Sequence, residues 1–116
     1  MGLDIFLIEP IENNETSELN WLEFKGEKKI SKYFKNFIVS RNENDENLGI
    51  YYKDISYQRK GVKREFYENY KPDDFIVLEE EVLELKKYIL EEYLEDFDQK
   101  FLQKFKEKKN LVWISY

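Results

Sequence analysis

Residues 79–109 carry a helical apolar repeat with neither glycine nor proline inside it, and no other stretch constrains the fold as strongly. The apolar positions are Val82, Leu83, Leu85, Ile89, Leu90, Tyr93, Leu94, Phe97, Phe101, Leu102 and Phe105. Unbroken, such a helix would be about 45 Å long at about 1.5 Å per residue. A domain of this size has a radius of gyration of about 13 Å, so the helix would overhang its own domain. Either it breaks, with Glu95 to Asp98 the expected place, or its end packs on a second chain and offers a homodimer interface.

Upstream, apolar residues recur first at every second position and then at every third or fourth. Leu3, Ile5 and Leu7 alternate with Asp4 and Phe6, and Ile8 follows. That pattern predicts a strand ending at Pro10. Residues 9–18 are polar and read as a loop. Leu19 to Phe24 alternates again as a second strand, stopped at Gly26. Ile30, Tyr33, Phe34, Phe37 and Ile38 stand at i, i+3, i+4, i+7 and i+8, which predicts an amphipathic helix. A hydrophilic loop from Asn42 to Asn47 leads to a short strand, Leu48 to Tyr52. Residues 59–70 read as a second helix, with Val62, Phe66 and Tyr70 four apart on one side. Lys71-Pro72-Asp73-Asp74 is a turn. Phe75 to Leu78 is a strand or extended entry, and Leu111 to Tyr116 is a nearly all-apolar strand expected at the centre of a sheet. The order predicts a single α+β domain over residues 1–116: a mixed β-sheet of about four to five short strands, with about three helices on one face, the last of them long.

Neither histidine nor cysteine occurs in the chain. No imidazole can serve as a general base, and no Ser-His, Cys-His, thiolate-zinc or disulfide arrangement can be built. The glycines at 2, 26, 49 and 61 are isolated, so there is neither a phosphate-binding loop nor a dinucleotide fingerprint. No cofactor and no catalytic group is expected. The net charge of −6, from 25 acids and 19 bases, does not favour nucleic acid, and direct binding to it is not expected. Aromatics at 17% argue for a packed core in spite of 38% charged residues. No apolar run approaches the roughly 18 residues that would span a bilayer. Asp4 and the lack of an early basic region speak against a signal peptide, and Phe6 stands where a myristoylation signal needs Ser or Thr. The expected location is the cytoplasm of a bacterial host. Sixteen lysines against three arginines, with abundant Asn, Ile, Tyr and Phe, are the mark of AT-rich codons, as in many bacterial and phage genomes.

Two surfaces stand out. Tyr57-Gln58-Arg59-Lys60-Gly61-Val62-Lys63-Arg64 is the most basic stretch, with Tyr51 and Tyr52 upstream. Arginine's planar fork suits carboxylate or phosphate, and the tyrosines could stack on a partner. Tyr52, Tyr57, Arg59, Lys60 and Arg64 are the expected contact surface for a protein partner or an anionic ligand. The plainer reading is a solvated helix face paired with Glu65 or Glu68. The second surface is the acidic face around Glu91, Glu92 and Glu95. Residues 79–98 hold nine acids and two lysines, and 99–109 hold five lysines and one glutamate. The plainer reading there is complementarity to the helix macrodipole. The pairs Asp73-Asp74, Glu91-Glu92 and Asp96-Asp98 could each meet a divalent cation, but such pairs are too plentiful to point to a metal site, and none is expected. Trp21 and Trp113 read as core residues rather than binding hot spots.

The opening Met1-Gly2-Leu3-Asp4-Ile5-Phe6-Leu7 resembles small uncharacterised phage and mobile-element proteins that begin Met-Gly-Leu-Asp, then Ile or Met, an aromatic and Leu. Tyr57-Gln58-Arg59-Lys60 followed by Phe66-Tyr67 is similar to an aromatic-x-Arg-Lys segment found in many of them. Those proteins often carry histidine in the helix where this chain has Lys63 and Arg64. The resemblance covers about a quarter of the chain and implies a phage context with no established activity. The leading expectation is a non-catalytic protein-binding module of phage or mobile-element origin. It would act as an inhibitor of a bacterial defence system such as CRISPR, with a defence effector or its complex as partner. The alternative is a small protein that binds an anionic ligand such as a nucleotide, or a metal-independent enzyme.

Overall fold

The computed structural model describes residues 4–12, 20–24, 28–40, 48–59 and 61–115. The expected loop over 42–47, the strand ends at Leu3, Leu19 and Tyr116, and Lys60 lie outside them. In chain order the elements are β1 (Asp4–Ile11), β2 (Asn20–Phe24), α1 (Lys28–Tyr33), β3 (Ile38–Ser40), β4 (Leu48–Gln58), α2 (Phe66–Asn69), β5 (Phe75–Ile76), α3 (Glu79–Lys86), α4 (Leu94–Phe97) and β6 (Leu111–Ser115). The strands form one sheet in the order β2-β4-β1-β6-β5, with β3 also paired to β4. Every pairing is antiparallel, so the α+β class holds while the expected mixed sheet does not.

The spine is β1 against β6. Ile5, Leu7 and Ile8 and their partners Leu111, Val112 and Ile114 are fully buried, although they point alternately to opposite faces. The sheet is therefore covered on both faces, which is what near-continuous apolar strands signify. On the first face, Ile5, Leu7, Val112 and Ile114 pack with Phe66, Val82, Leu85, Ile89, Phe97 and Phe101. On the second, Ile8, Leu22, Ile50 and Leu111 pack with Ile30 and Phe34. Helices thus lie on both faces, not on one. Leu111 to Ile114 alternate between the two cores, and β6 lies between β1 and β5, inside the sheet as expected.

Four boundaries differ from expectation. β1 runs through Pro10 to Ile11 because its pairing with β6 stops at Ile8; beyond that point the ladder is one-sided, and a missing N–H is tolerated. The helix around Ile30 ends at Tyr33. A 3₁₀ turn (Lys35–Phe37) follows, and β-branched Ile38 enters β3 opposite Ile50. β4 extends to Gln58, so Tyr57 belongs to a strand. Among the described residues of 59–70, only Phe66–Asn69 are helical. The preceding Gly61 has φ 96, and Val62 bridges Ile89.

That bridge also decides the fate of residues 79–109. The chain breaks at 87–90, earlier than expected, because Lys63 N–H donates to Tyr88 O (2.7 Å) and Leu90 N–H donates to Gly61 O (2.7 Å). Backbone groups engaged in these bonds cannot continue a helical ladder. A 3₁₀ turn (Glu91–Tyr93), α4 and a π-helical turn (Asp98–Leu102) complete the segment. Its pieces fold back on the sheet, burying Phe97 and Phe101 with their rings stacked at 4.9 Å. No overhanging helix exists, and the homodimer interface that it would have offered loses its premise.

Candidate functional site

Strand register brings four aromatic side chains into one row. Tyr57 of β4 stands opposite Phe6 of β1, Phe6 opposite Trp113 of β6, and Trp113 opposite Phe75 of β5. All four project from the second face, since directly paired residues share a face. The ring centroids lie 5.4 Å apart for Tyr57–Phe6 and 5.1 Å for Phe6–Trp113. Burial falls along the row: Phe75 is 6% exposed, Phe6 and Trp113 are half-buried, and Tyr57 is 44% exposed. At one end Trp113 Nε1–H donates to Asp73 Oδ1 at 3.1 Å. Asp73 is held in a turn at φ 66, fastened to β6 by Asp73 N–H to Ile114 O (2.7 Å) and Ile114 N–H to Asp74 O (3.0 Å). Aspartate tolerates that left-handed conformation better than most residues.

At the other end β4 carries a bulge. Leu7 pairs with Ser56 and Ile8 with Asp54, so Ile55 is the extra residue. Bulges re-aim neighbouring side chains and bend the strand. Here the bulge opens a shallow cavity of about 400 Å³ between Phe6, Asp54, Ile55, Ser56 and Tyr57. Exposed Asp54 accepts a hydrogen bond from Asn20 Nδ2 at 3.0 Å. Asp4, opposite Ser115, lies on the same face as Phe6. The row is therefore flanked by three carboxylates, Asp4, Asp54 and Asp73.

A larger cleft of about 590 Å³ opens elsewhere, beside α3, lined by Asn69, Tyr70, Asp74, Glu80, Glu81 and Glu84 together with Lys29, Phe75 and Ile76. Its one cation, Lys29, is ion-paired to Glu81 and also donates to Phe75 O at 3.2 Å. Glu81 Oε1 accepts from the N–H groups of Val77 (3.3 Å) and Leu78 (3.2 Å), so this carboxylate closes the N-terminus of α3. The Tyr70 hydroxyl is pushed up to about 12, first by burial and then by Tyr88, Glu84, Glu81 and Asp74 around it. Such a lining repels an anion. Among the described residues no three acidic side chains converge in a way that could hold a metal ion.

The residues singled out in the sequence are dispersed over the fold. Tyr52 and Tyr57 share the second face of β4 with the bulge between them. Tyr52 packs at the edge of the second core, where burial and then Asp54 raise its hydroxyl pKa. Arg59 is exposed just beyond β4, and Lys60 lies outside the described residues. Arg64 is exposed on the turn before α2, whose Phe66 belongs to the first core, on the other side of the sheet. Glu91 and Glu92 are exposed on the 3₁₀ turn and Glu95 on α4. Two nearby acids pair with lysines, Asp96 with Lys100 at 3.1 Å and Asp98 with Lys86 at 2.9 Å. Phe6 and Trp113 are the surface residues that the sequence reading missed. An apolar residue at every second strand position is equally compatible with burial and with a half-open row, and only register distinguishes the two.

No helix among the described residues is long and apolar enough to cross a membrane. In comparisons with known proteins, no family model, no curated protein and no solved structure matches the chain.

Proposed function

We propose that this protein is a non-catalytic binding module that docks on a protein partner through the Tyr57–Phe6–Trp113 row. The observation that carries this reading is a row of three rings in contact across three strands, with its outermost ring 44% exposed at the mouth of a cavity. Tyrosine and tryptophan supply large contact area at small conformational cost and are enriched in interface hot spots. The row stands on paired strands and not on a loop, so little backbone order is lost on docking. The proposed setting is a phage or mobile element, on the strength of the resemblance at the chain's opening. The proposed partner is a bacterial defence effector or its complex, which the module inhibits by covering a working surface. An anionic small ligand is the weaker alternative, because the cleft beside α3 carries Asp74, Glu80, Glu81 and Glu84.

The test is co-expression with a panel of bacterial defence systems, scored by recovery of phage plaques, with co-purification of the effector from the protected strain. Tyr57→Ala should abolish both protection and co-purification while the domain stays folded. Undiminished protection by that variant would remove the row as the docking surface. Loss of protection with Glu91→Lys, Glu92→Lys alone would move the site to the acidic face.

A further inference from the structure

We infer that the cavity lined by Phe6, Asp54, Ile55, Ser56 and Tyr57 receives an arginine side chain of the docked partner. The inference rests on the docking reading above and deepens it. Three features of the cavity converge on a guanidinium. Its lining includes the rings of Phe6 and Tyr57, in contact at 5.4 Å, with Tyr57 44% exposed. A planar cation stacks on such a ring face. Its rim holds the exposed Asp54 carboxylate, fixed by one hydrogen bond from Asn20 at 3.0 Å and with acceptor capacity remaining for a second donor. A guanidinium can stack and donate to a carboxylate at once, whereas an ammonium has no planar face. The surroundings agree in sign. Asp4 and Asp73 flank the same row, and the chain carries a net charge of −6, which steers a basic surface toward it. Nucleic acid fits badly, because its phosphates would meet these three carboxylates.

The experiment is an amide-resolved NMR titration of the whole protein with three capped tripeptides: Ala-Arg-Ala, Ala-Lys-Ala and Ala-citrulline-Ala. Citrulline keeps the shape and loses the charge. The arginine peptide should move the amide peaks of Ile55, Ser56 and Tyr57 and the ring signals of Phe6. It should bind about three- to fivefold more tightly than the citrulline peptide, the size of effect expected at a partly exposed cation–ring site. Asp54→Asn, a near-isosteric change at an exposed position, should erase most of that preference. Equal binding of arginine and citrulline peptides, or peaks moving only around Glu80 and Glu84, would overturn the inference. Movement of the same peaks with protein concentration alone would assign the cavity to a second copy and overturn it too. The docking reading fails separately, if Tyr57→Ala keeps protection. If Tyr57→Ala abolishes protection and the peptides do not discriminate, docking stands and the arginine assignment falls.

Discussion

Val62 and Ile89 form a single antiparallel bridge, and around that bridge the long apolar segment stops being a helix. The flanking bonds from Lys63 N–H to Tyr88 O and from Leu90 N–H to Gly61 O make it a three-residue clasp. It joins the exit of β4 to the region between α3 and α4, so the strand that carries Tyr57 is anchored to the first core.

The clasp depends on Gly61. At φ 96, any side chain there is strained, and an added Cβ would lie 2.5 Å from Tyr93 Cγ. Gly61→Ala should lower unfolding free energy by about 2 kcal/mol or more, read from urea denaturation. An unchanged midpoint would show that the clasp does not hold in solution.

The first core should respond to loss of volume. Phe97 is fully buried and stacked on Phe101, so Phe97→Ala should cost about 3–5 kcal/mol. Leu83 on α3, 49% exposed, is the control: Leu83→Ala should change stability by no more than about 0.5 kcal/mol. Thermal and urea unfolding of the two variants would check the contrast.

Glu81 has two structural duties, pairing with Lys29 and accepting the Val77 and Leu78 N–H groups. Glu81→Gln preserves an acceptor and removes the charge, and Glu81→Ala removes both. The expected order of melting temperature is wild type, then Gln, then Ala, with the alanine variant about 1–2 kcal/mol below wild type.

Tyr70 should make the fold sensitive to alkali. Its folded pKa is about 12 against an ordinary 10.0, so the native state holds this proton more tightly than the unfolded chain does. Its contribution is complete below the ordinary value and is lost as pH rises from there through the folded value. Tyr52, raised by burial and Asp54, acts in the same direction. Melting temperature should fall less between pH 10.0 and 12 in Tyr70→Phe than in wild type. Parallel falls would show that Tyr70 is solvated.

Along the aromatic row, stability and binding should separate. Tyr57, 44% exposed, contributes little packing, so Tyr57→Ala should cost about 1 kcal/mol or less while removing partner binding. Trp113→Ala forfeits the ring contact with Phe6 and the bond to Asp73 and should cost more than Tyr57→Ala in a denaturation experiment.

Much of the fold follows from residue order alone. Alternation in Ile5–Leu7 and the apolar run Leu111–Ile114 specify strands, and the latter is flanked on both edges because Leu111, Val112 and Ile114 are all buried. The spacing of Val82 and Leu85 specifies the buried side of α3. The absence of histidine and cysteine sets limits on the chemistry before any folding occurs. Pairing was not legible. Which strands are neighbours, and in which register, depends on contacts between residues far apart in sequence, and a one-residue slip moves a side chain to the opposite face. Tyr57 meets Phe6, and Phe6 meets Trp113, only through that register. The break at 87–90 likewise comes from hydrogen bonds to residues 61–63, which no periodicity within 79–109 encodes. Local pattern marks where apolar strands and helical turns begin, because those preferences act over a few bonds, but not where they stop. The aromatic row and its cavity were decided by the tertiary structure, because they exist only once distant strands are laid side by side.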